Sequence, residues 1–172
     1  MPRYVAFLRG VSPMNASMAE LRKRIESAGF TDVKTVLASG NVVFNSRSAS
    51  NESLQKKIEA AIAAGRGRPF STIIRSVELL ESFLEEDPFA QFKLPAKAKK
   101  VITFLREANP NPPALPIKRD DVFILTMSKG EVFSAYVHDP KKGPIFMQML
   151  EKNFGKNITT RTLDTVKKCV SA

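Results

Sequence analysis

VKTVLASGNVVFN, residues 33 to 45, decides the fold. Two β-branched runs, residues 33–38 and 41–45, flank Ser39-Gly40, and Asn41 also favours turns, so the stretch predicts a tight antiparallel hairpin. Its surroundings then fix the topology. Upstream, Ser17 and Glu20 have capping-box spacing, and Met18, Leu21, Ile25 and Ala28 recur on one helical face before Gly29 stops the helix. Residues 3–9 (RYVAFLR) precede that helix as a buried strand. Downstream, residues 51–64 predict a second helix with Leu54, Ile58, Ala61 and Ile62 inward and Gly65 as its stop, followed by a strand over residues 70–75.

The order βαββαβ, with right-handed crossovers, predicts a four-stranded antiparallel sheet of spatial order 4-1-3-2 with both helices on one face, the ferredoxin-like arrangement. Ser76 then caps an acidic helix, VELLESFLEE, that ends at Pro88. After it the pattern returns. A strand over residues 101–105 leads into ANPNPPALPIK, whose four prolines forbid a regular helix or a central strand. Strands over 122–126 and 131–137, a helix over 144–154 stopped by Gly155, a short strand over 157–160 and a last helix carrying Leu163, Val166 and Val170 complete it. The expected fold is therefore α+β: two ferredoxin-like (βαββαβ-type) halves, mainly antiparallel sheets with helices on one face. Residues 1–76 form the first half, 77–98 an acidic helix and linker, and 99–172 the second half with a proline-rich crossover and a C-terminal helix. The repeat rests on element order, since the halves share little sequence.

The 172 residues are 43% hydrophobic and 26% charged, ordinary for a globular chain. With 27 basic and 17 acidic side chains the net charge is +10. Both halves are basic, at +7 for residues 1–76 and +8 for 88–172, with five acids alone between them. This favours polyanions without naming one. The single cysteine, Cys169, excludes an intrachain disulfide and, with no secretory leader, predicts a reducing cytoplasm. No apolar run approaches membrane-spanning length.

RYVAFLRG, MAELRKRIESAGFTDVKTVLASGNVVF, IIRSVELLESFLEEDPF, VITFL and ITTRTLDTV together resemble the bacterial family catalogued as domain of unknown function 1697. The resemblance runs nearly end to end. It implies two ferredoxin-like subdomains in one unit and no established activity. Two segments depart from the family pattern: members typically carry a longer loop with glycine and lysine where this chain has VSPMNAS, and Asn-Trp-Asn where it has Thr162-Leu163-Asp164.

In a 4-1-3-2 sheet, the end of the first strand, the hairpin and the start of the fourth strand share one edge. Arg9-Gly10, Ser39-Gly40-Asn41 and Arg66-Gly67-Arg68 are therefore expected to converge, with the helix start near Ser17 beside them. Glycines that admit close backbone approach, helix N–H donors and guanidinium forks are the components of an anion site. Arg9, Gly10, Ser39, Gly40, Asn41, Arg66 and Arg68 form the candidate rim: the arginines neutralise, the glycine amides orient, and Ser39 and Asn41 supply hydrogen bonds. Turn chemistry alone also accounts for these glycines.

The cofactor is unknown from sequence. The expected partner is an anionic, phosphate-bearing small molecule bound without catalysis; the alternatives are an enzyme acting on a phosphorylated metabolite and a weak, nonspecific nucleic-acid binder. Tyr4, Phe7 and Phe44 read as sheet-packing residues rather than a base-stacking platform. One histidine, His138 in YVHDPKKGP, excludes HExxH and any two-histidine metal site, and reads as a surface-loop residue rather than a general base oriented by Asp139. GRGRP at 65–69 lacks a P-loop lysine, and no nucleophile elbow or dinucleotide fingerprint occurs. Met14, Met18, Met147 and Met149 read as core fillers, Cys169 as a half-buried thiol, and Lys97, Lys99 and Lys100 as a solvated face. Thr159, Thr160 and Thr162 read as capping residues, and Arg161 beside them as an alternative anion holder.

Overall fold

The computed structural model describes residues 1–12, 14–64, 70–141 and 145–172. By compactness the chain divides into two units, Met1–Glu85 with Thr165–Ala172, and Glu86–Asp164. The acidic helix thus falls largely within the first unit, and so does most of the C-terminal helix.

In the first unit, β1 (Arg3–Leu8), α1 (Met18–Ser27), β2 (Thr31–Val36), β3 (Asn41–Asn45), α2 (Asn51–Ala63) and β4 (Thr72–Ser76) follow the expected order, and α3 (Val77–Glu86) comes next. The sheet order β2-β3-β1-β4 is the one expected, with every neighbouring pair antiparallel. Alternation sends Tyr4, Ala6, Leu8, Val42, Phe44 and Ile74 to the face that packs on Leu21 and Ile25 of α1 and Leu54, Ile58 and Ile62 of α2. The opposite face is buried too, at Val5, Phe7, Val43 and Ile73. Tyr4, Phe7 and Phe44 are therefore packing residues, as their strand positions predict.

Helix termini follow local chemistry. The backbone N–H of Glu20 donates to Ser17 Oγ at 3.4 Å and that of Ser53 to Ser50 Oγ at 3.1 Å. Only half of the expected capping box forms, because the Glu20 carboxylate pairs with Arg24 at 2.8 Å. The Ile74 N–H on edge strand β4, which has no further strand to bond, donates to the buried Gln55 side chain at 3.0 Å. Arg3 ties the unit together: it donates to Asn45 Oδ1, to Asp32 and to the Ala172 carbonyl, joining β1 to the end of the C-terminal helix.

The hairpin differs from the tight turn expected. β2 ends at Val36, which pairs with Asn41, so Leu37, Ala38, Ser39 and Gly40 form a four-residue turn. Leu37 turns out of the strand with φ 59° and stands 48% exposed, while Gly40 takes φ 86°. The Asn41 amide closes the turn by donating to the Val36 carbonyl and to Ser39 Oγ, both at 2.9 Å.

The second unit repeats the plan with one substitution. β5 (Lys99–Leu105), β6 (Ile117–Arg119), β7 (Val122–Ser128), β8 (Glu131–Tyr136), α4 (Ile145–Phe154) and β9 (Ile158–Thr162) give the order β6-β7-β8-β5-β9, and α5 (Leu163–Ser171) follows. Without β6 this is the order of the first sheet again. β6 lies within the stretch read as proline-rich loop. Its prolines precede it, and it runs along the sheet edge, where only one side needs ladder donors. One helix is lost from the repeat at this point, and α4 packs Met149 and Leu150 onto Leu105, Val122, Ile124, Val132 and Ile158. Thr103 and Ser134, on neighbouring strands, bury hydroxyls that have no hydrogen-bond partner among the described residues. Among the described residues, no helix is long and apolar enough to cross a membrane.

Candidate functional site

Sheet register brings the first two bends of the rim together. The Leu8 N–H donates to the Gly40 carbonyl at 2.8 Å, and the Arg9 N–H to the Ser71 carbonyl at 2.9 Å, so the end of β1 touches both the hairpin and the approach to β4. Gly40 is required at this junction. A Cβ there would lie 2.9 Å from the Leu8 carbonyl oxygen and 2.9 Å from Val11 Cβ. Arg66, Gly67 and Arg68 lie outside the described residues.

Arg9, Gly10 and Ser39 are exposed at this edge, whereas Asn41 is fully buried and its amide is committed to the hairpin. Asn15, which the sequence reading passed over, organises the loop between β1 and α1. Its side chain donates to the Gly10 carbonyl at 2.8 Å and accepts from the Ser12 N–H at 2.9 Å. The clasp delivers the chain into the Ser17 cap.

Asn15 also lines a cavity of about 480 Å³ beside α1, together with Ser17, Lys23, Arg24, Ile62 and Phe70. The rim residues themselves do not line it; Asn15 links the two through Gly10. Ile62 and Phe70 give the cavity an apolar floor, and Ala19 and Glu20 of the first turn of α1 line it as well. Glu20 also offsets the Arg24 charge, so that among the described residues Lys23 is the lining cation without an ion pair.

The other candidates resolve into structural roles. Cys169 is fully buried rather than half-buried. Met18, Met147 and Met149 pack against the two cores, but Met14, in the loop before α1, is 98% exposed. The Arg161 guanidinium donates to Thr159 Oγ1 at 2.6 Å and to the Thr160 carbonyl at 2.8 Å within its own strand, so it is engaged locally. The Lys100 ammonium sits 5.7 Å from the Phe89 ring centroid. His138 is exposed in the second unit. Among the described residues, no three His, Cys, Asp or Glu side chains are placed to hold a metal ion.

A family model for proteins of unknown function, DUF1697, matches residues 1–125. The chain belongs to this family. The conserved bacterial protein SP0830 from Streptococcus pneumoniae is structurally similar to this DUF1697 chain, with a TM-score of 0.75 and 24% identity over 99% of this chain and 97% of that one. That likeness speaks to the fold alone. No curated protein matches the chain.

Proposed function

We propose that this DUF1697 protein binds an anionic, phosphate-bearing ligand at the edge formed by Arg9, Gly10 and the cavity beside α1, without catalysing a reaction on it. The observation that carries this reading is the Asn15 clasp. It joins the glycine bend of the rim to a hollow that combines an apolar floor, the first turn of α1 and the Lys23 ammonium, which forms no ion pair with a described residue. An anion there gains charge-assisted hydrogen bonds and a favourable helix dipole. Ile62 and Phe70 suit an organic body attached to the phosphate.

Binding rather than chemistry fits the inventory of the first unit. The chain's one histidine lies at position 138, in the second unit, and Cys169 is inaccessible. The lone, fully buried thiol also supports a reducing, cytoplasmic setting.

Isothermal calorimetry with inorganic phosphate and with a nucleoside monophosphate tests the proposal. Saturable binding is expected, tighter for the nucleotide because of the apolar floor. Lys23→Ala should weaken it about tenfold, the loss of one charge-assisted hydrogen bond. Equal heats for wild type and the Lys23→Ala variant would contradict the assignment.

A further inference from the structure

The second unit holds a cavity of opposite character. It measures about 400 Å³ and opens where β7 begins, β8 ends and α4 starts. Val122, Tyr136 and Met147 supply apolar wall, and the Tyr136 and Phe146 rings stack there with centroids 4.5 Å apart and an interplanar angle of 22°. The polar lining is three carboxylates and the His138 imidazole. Asp120, Asp121 and Asp139 all face the space, and no described lysine or arginine lines it.

Among the described residues, none of these three carboxylates forms an ion pair, in a chain whose net charge is +10. Their backbone is held in place. The Val137 N–H donates to the Asp121 carbonyl at 3.0 Å, and the Lys141 N–H donates to Asp139 Oδ1 at 2.9 Å, which leaves the second Asp139 oxygen open. Among the described residues, the carboxylates and His138 are not grouped to chelate a metal ion. The volume lies within the range of small-molecule sites, a few hundred Å³ with a mostly apolar lining and a few polar anchors.

We infer that this cavity binds an organic cation: a protonated amine carried on a planar or apolar body. The ammonium group would meet the carboxylates, in charge-assisted hydrogen bonds, while the body lies against Tyr136 and Phe146, whose ring faces attract both apolar surface and positive charge. Phosphate and other anions are excluded by the same carboxylates. The site is independent of the anion site in residues, charge and ligand class.

The test uses the full chain and three probes, followed by NMR of the Tyr136 and Phe146 rings and the Met147 methyl group. 2-Phenylethylamine, protonated at neutral pH, is expected to give saturable shifts at all three. 3-Phenylpropionate, with the same ring and a negative charge, is expected to give none, and inorganic phosphate is expected to leave these signals unmoved. The exposed pair Asp120→Asn with Asp121→Asn should weaken amine binding by about fivefold or more while preserving the fold, as expected for lost charge-assisted contacts. Equal binding of amine and carboxylate, an unchanged affinity in the double variant, or no saturable shift with the amine would each overturn the assignment. None of these results bears on phosphate binding beside α1.

Discussion

The Leu8 amide and the Gly40 carbonyl lie 2.8 Å apart, and this hydrogen bond fastens the end of β1 to the turn between β2 and β3. The contact has no room for a side chain. It explains why glycine stands at position 40, and it holds Arg9 and Gly10 where the Asn15 clasp begins.

Gly40→Ala should therefore be costly. A methyl group would press against the Leu8 carbonyl and Val11 at 2.9 Å, and alanine would also have to adopt φ 86°. A loss of about 2–4 kcal/mol is expected in urea unfolding, from clash plus left-handed strain. Gly10→Ala provides the contrast. Gly10 has φ 79° but open space on the side where a methyl group would stand, so only the strain of about 1 kcal/mol should appear. Equal losses for the two variants would rule out the tight junction.

Gln55→Leu removes the acceptor for the Ile74 N–H on the sheet edge. Leucine keeps the bulk but leaves a buried donor unpaired, which should cost about 1–3 kcal/mol. Hydrogen exchange at the Ile74 amide should accelerate beyond that of its β4 neighbours. Uniform acceleration along β4 would show that the side chain acts on packing alone.

Thr103→Val and Ser134→Ala should move stability in the other direction. Both hydroxyls are fully buried without a partner, so their removal relieves a desolvation penalty. A gain of about 0.5–1 kcal/mol is expected for each in chemical denaturation. Destabilisation by either variant would reveal a buried water or other partner at that hydroxyl.

Most of the architecture was legible because it follows from periodicity and punctuation. The strand and helix order in residues 1–76 implies the sheet order, and the continuous apolar runs RYVAFLR and NVVFN read as buried strands, which is where Tyr4 and Phe44 pack. The turn was misjudged because β-branched residues propose strand, while Gly40, Asn41 and the left-handed Leu37 together cut β2 short at Val36. β6 was missed because proline is a reliable signal against central strands and says less about edges.

The sites were less legible because they depend on long-range register. Asn15 had a local signal, a turn-forming residue ahead of a helix cap, yet its two partners are backbone groups that composition does not reveal. His138 and Asp139 drew attention as sequence neighbours. The more telling relationship is that Val122 pairs with Tyr136, which sets Asp120 and Asp121 beside His138 and Asp139 across the hairpin. Only the antiparallel register gathers those four polar side chains at one hollow.

The central claim, an anion held where the β1 bend meets α1, is tested most directly by titrating the full chain with inorganic phosphate while following every backbone amide by NMR. The account predicts saturable shifts concentrated at Gly10, Asn15, Met18 and Ala19, with a midpoint about tenfold higher in the Lys23→Ala variant. Shifts confined to other surfaces, or none at those four amides, would contradict it.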